Sequence, residues 1–73
     1  MKNPKLRRIA SPLVSTPQHR LTLHVVEIVS GVVSRYYPLT EELPHCEWMK
    51  EPVQLKNDAD GHLRAYCNGK LIE

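Results

Sequence analysis

Apolar and polar residues alternate strictly from Arg20 to Val25: Leu21, Leu23 and Val25 fall on one side, Arg20, Thr22 and His24 on the other. A period of two in β-forming residues predicts a half-buried strand. The alternation then slips, because Val26 and Ile28 are apolar while Glu27 interrupts the odd-numbered face. One extra residue near Val25 and Val26, a β-bulge, restores the phase. Burial of the strand on both faces, as in a dimer, accounts for it equally well. Ser30 and Gly31 follow between Val29 and Val32, and glycine supplies the positive φ of a tight hairpin turn. The second strand is expected over residues 32–39, with Tyr36 and Tyr37 on opposite faces. Pro38 lacks an amide donor and marks an edge or the strand's end.

Residues 40–50 break the β pattern. Thr40 suits a cap for one helical turn, Glu41 and Glu42 favour its positive end, and Pro44 stops it. This stretch reads as a connection anchored inward by Leu43 and Trp48. A third strand is expected over 51–56, with Val53 and Leu55 inward, followed by a turn cluster at 57–61. A fourth covers 62–67, with Leu63, Ala65 and Cys67 on one face and His62, Arg64 and Tyr66 on the other. Asn68-Gly69 is a strong type I′ hairpin signal, and residues 70–73 form the fifth strand. The expected fold is all-β: a small five-strand antiparallel meander, or a partly open barrel of SH3-like or OB-like outline.

The first eighteen residues differ. Prolines at 4, 12 and 17 and serines at 11 and 15 interrupt any period. The segment reads as an extended or disordered basic arm beside a single small β domain over 19–73. Charge sharpens the contrast. Residues 1–26 hold five basic and no acidic side chains, and residues 27–73 hold five basic and eight acidic ones, for a net +2. Lys2, Lys5, Arg7 and Arg8 are candidate contacts to a phosphate backbone, where cations gain by releasing counterions. Arg64 and Tyr66, sharing a strand face, extend that surface to base stacking. The acidic groups Glu41, Glu42, Glu47, Glu51, Asp58 and Asp60 oppose it. Arg7, Arg8 and Ser11 also have the spacing of a basophilic kinase site, a pattern short enough to arise by chance.

Size bears on partners. A chain of 73 residues and 8.4 kDa folds into about 4,600 Å² of surface and hides roughly 60% of what it exposes unfolded. One thin core of this kind supplies about 3–5 kcal/mol without a staple or a partner. With no phenylalanine, Trp48, Tyr36, Tyr37 and Tyr66 are its only large rings. Val26, Ile28 and Val33 in the first hairpin offer more apolar surface than such a core hides, so they are the candidate self-association residues. The edge strand at 70–73 is a second place for a partner to pair. No apolar run reaches the roughly 18 residues of a membrane span, and Ile9 to Pro17 is too interrupted for a secretory segment. A cytoplasmic protein is expected, with Cys46 and Cys67 as reduced, packed thiols.

Chemistry is sparse. His19, His24, His45, His62, Cys46 and Cys67 are ligand types for zinc, but none shows ligand spacing. Residues 56–61 imitate a calcium loop, but Lys56 stands at the first ligand position and Cys67 where a bidentate glutamate belongs. His45 and Cys46 are adjacent, so an extended backbone points them apart rather than aligning a base on a nucleophile. No enzyme, cofactor or metal is expected. Two functions remain: a self-associating or protein-binding module, and a small nucleic-acid-binding domain.

Overall fold

The computed structural model describes residues 6–41, 43 and 45–73. Seven strands form one mixed, open sheet: β1 (Leu6–Ser15), β2 (Arg20–Val29), β3 (Val32–Pro38), β4 (Cys46–Trp48), β5 (Val53–Asn57), β6 (Leu63–Cys67) and β7 (Lys70–Ile72). Their order is β3-β2-β1-β5-β6-β7, with β4 also on β1. The all-β expectation holds. The five-strand antiparallel meander and the barrel do not, because the sheet stays open and β1 runs parallel to both β4 and β5.

Both additional strands come from segments without a readable period. Residues 6–15, inside the expected arm, form the ten-residue strand at the middle of the sheet. Its pattern is illegible because it is enclosed on both faces: Ile9, Ala10, Ser11 and Val14 are all buried, and a strand covered on both sides needs no alternation. Arg7 and Arg8 fit there because each meets a carboxylate. β4 arises within the expected connection, and Trp48, expected as an inward anchor, is 53% exposed. The helical turn expected at 40–44 involves residues 42 and 44, outside the described residues.

The slipped phase of β2 has a local cause. Leu23 takes φ +51° opposite Pro12, the one interior residue of β1 left out of the β1–β2 register. Proline lacks a ladder donor, so the two irregularities sit together and reverse which parity faces the core. Leu21 packs on one side of them and Val26 and Ile28 on the other, all against the same core. The break thus lies slightly before Val25, and β2 is also buried on both faces, with Val25, Val26, Glu27 and Ile28 all enclosed. A second register shift separates Glu27 from Ile28 in the β2–β3 pairing.

The hairpin turns follow the sequence closely. Ser30 and Gly31 have φ of +51° and +82°, and Asn68 and Gly69 of +52° and +77°, the two positive values of a type I′ turn. At the third turn, Asp58 accepts the backbone N–H groups of Asp60 and His62, each at 2.9 Å. The core collects on one face, from Ile9, Val14, Val26, Ile28, Val33, Val53, Leu55, Ala65 and Ile72. Val53, Leu55 and Ala65 occupy the inward positions expected for them. The sheet curls enough for Arg64 on β6 to donate to the Gly31 carbonyl at 2.7 Å.

Candidate functional site

The sheet's second face carries the unusual chemistry. Two rows of register neighbours cross β4, β1, β2 and β3 there: Cys46, Arg8, Glu27 and Arg35 in one, and Trp48, Ala10, Val25 and Tyr37 in the other. Same-face neighbours on paired strands lie close enough to interact directly. One row is therefore charged and the other apolar.

Glu27 is the centre of the charged row. Its side chain is 6% exposed and accepts hydrogen bonds from Arg35 Nε at 2.8 Å, Arg8 Nε at 3.0 Å and the Tyr37 hydroxyl at 2.6 Å. The Arg35 bond, then those from Tyr37 and Arg8, hold its carboxyl down to about 2, against the opposing effect of burial. The same contact pushes the Tyr37 phenol up. Arg35 also lies over the Tyr37 ring, 5.2 Å from its centre. A buried carboxylate is costly unless paired and hydrogen-bonded, and here it ties three strands together. Its oxygens face donors of the chain itself, so this cluster is built to hold the sheet.

The apolar row is covered unevenly. Past β3 the Leu39 N–H donates to the Leu23 carbonyl at 2.9 Å, and Leu39 and Leu43 lie beside Ala10 on this face. Val25 is fully enclosed and Ala10 is 2% exposed. The β4 end remains open. There Ala10, Leu39, Leu43, Cys46, Glu47 and Trp48 line a shallow cleft of about 250 Å³. Burial pushes the Cys46 thiol up, which disfavours the reactive thiolate. Arg7 on the core side takes Glu47 through two bonds of 2.7 and 3.0 Å.

Where they are described, the residues expected at a nucleic-acid surface each meet other groups of the chain. Lys2 and Lys5 lie outside the described residues. Arg7 binds Glu47 and the Glu73 carbonyl, and Arg8 binds Glu27. Arg64 binds Asp58 and the Gly31 carbonyl. Tyr66 is half-buried, with Lys56 over its ring at 5.6 Å. The residues expected for self-association are in the core: Val26 and Ile28 are at most 1% exposed and Val33 is 8% exposed. All three pack within the chain, against Val53, Leu55, Ala65 and Ile72 of the far half of the curled sheet.

Ser11, the hydroxyl of the kinase-like pattern, is fully enclosed and serves the Leu13 and Glu51 carbonyls at 2.9 and 3.0 Å. Asp58, Asp60 and His62 bring carboxylate and imidazole atoms within 4.8 Å of one another. Asp58 is already engaged by Arg64 at 2.9 Å and by two turn amides, which makes the cluster a turn device. Sequence reasoning missed the Glu27 cluster. Its only signal was the acid at a position where the alternation slips. Comparison of the chain with family models, curated proteins and solved structures finds no match.

Proposed function

We propose that this chain is a small non-enzymatic protein-interaction module whose contact surface is the open end of the apolar row around Trp48. The observation that carries the reading is a tryptophan 53% exposed beside a cleft lined by Ala10, Leu39 and Leu43. Large amphipathic rings with apolar neighbours are the usual anchors of protein contacts. Side-chain insertion suits this molecule better than strand addition. β4 and β7 are three residues long, and β3 carries a register shift and ends in Pro38. Short, bulged and proline-ended edges resist pairing with another chain.

The partner is a second copy or another protein. Sedimentation of the wild type and Trp48→Ala over a wide concentration range separates them, with the emission of the single tryptophan recorded in parallel. Self-association gives a mass that rises with concentration and, in the wild type, a blue-shifted emission; in the variant, read by mass alone, association is weakened by about 2 kcal/mol. A monomer at high micromolar concentration directs the search to other proteins, through selection of displayed peptides on the wild type and counter-selection on the variant. A monomer that also yields no Trp48-dependent binder overturns the reading. The alternative, a nucleic-acid surface, has less support, because Arg7, Arg8 and Arg64 each already meet an internal carboxylate.

A further inference from the structure

We draw no further inference here: the strongest candidate, the apolar cleft on the second face of the sheet between Trp48 of β4 and the side chains of Leu39 and Leu43, belongs to the surface already proposed, and nothing in the structure shows what covers it.

Discussion

Two carboxylates, Glu27 and Asp58, each hold an arginine at hydrogen-bond distance, yet they do different work. Glu27 sits mid-strand in the first half of the sheet, 6% exposed, and joins β1, β2 and β3 through Arg8, Arg35 and Tyr37. Asp58 sits in the β5–β6 turn, with a 22% exposed side chain, and serves two amides of its own turn besides Arg64. Residues 8, 35 and 37 are brought to Glu27 by strand register, whereas Asp58 meets partners within six residues. The same functional group therefore stabilises long-range order in one place and local geometry in the other. The difference lies in the carboxylates and not in their arginines: Arg8 and Arg64 are equally exposed, whereas Glu27 is enclosed and Asp58 lies nearer water, where an ion pair is worth less.

Substitution at the two carboxylates gives the largest contrast. Glu27→Ala removes the hydrogen bonds from Arg8, Arg35 and Tyr37 that join β1, β2 and β3 and is expected to cost about 3 kcal/mol, read from the urea midpoint. Asp58→Ala lowers the midpoint far less. An equal loss at both positions would break the distinction between register-built and turn-built clusters.

Acid titration tests the same contrast. The folded carboxyl of Glu27 is held down to about 2, below its ordinary unfolded value near ~4.3. A lowered folded value means the unfolded state takes up the proton first. The stabilisation is thus complete above the unfolded value and is lost as pH falls through it toward 2. Equilibrium unfolding followed from pH 7 downward should show this loss, and Glu27→Gln should flatten that portion of the profile.

The two type I′ turns sharpen the comparison on a smaller scale. Gly31→Ala introduces a Cβ at φ +82° and 2.9 Å from Arg64 Nη1, whereas Gly69→Ala introduces one at φ +77° with open space around it. Backbone strain alone accounts for about 1 kcal/mol at either position. Displacement of Arg64 from the Gly31 carbonyl should bring the first to about 2.5 kcal/mol, by the lower end of the worth of a hydrogen bond to a charged donor. Thermal melts of the pair read the difference. Equal losses would mean that the Arg64 contact across the curled sheet contributes nothing. The smallest stability effect belongs to Trp48→Ala, within about 0.5 kcal/mol because the ring is 53% exposed. A larger drop would make Trp48 a structural residue and remove it as a docking anchor.

The legible parts of the fold are those whose cause lies within a few residues. Ser30-Gly31 and Asn68-Gly69 are turn signals carried by adjacent residues, and both take the positive φ expected of a tight hairpin turn. Val53, Leu55 and Ala65 alternate because their strands have one core-facing side. Residues 6–15 were illegible for the opposite reason. A strand covered on both faces carries no alternation, and its basic residues resemble a solvated tail until their carboxylates are located. Tyr36 and Tyr37 show an intermediate case. Strand parity separates their faces, but only the register places Tyr37 on Glu27 and leaves Tyr36 exposed.

The candidate surface was legible in smaller measure. Trp48 stood out as one of four large rings, but the segment around it reads as a connection. Its exposure follows from the parallel pairing of residues 46–48 with β1, a contact across some 38 positions of sequence that no local pattern encodes.

By itself, then, the amino-acid sequence determined that this protein is β-rich, where its tight turns fall and which residues of β5 and β6 point inward, because these depend on φ preferences and a period of two. Tertiary structure decided the rest. It made a basic, proline-broken segment the central strand, enclosed Val26, Ile28 and Val33, paired Arg7 and Arg8 with Glu47 and Glu27, and left Trp48 at an open end. Those outcomes depend on which distant strand lies beside which. That choice is set by the sum of many contacts across the sheet.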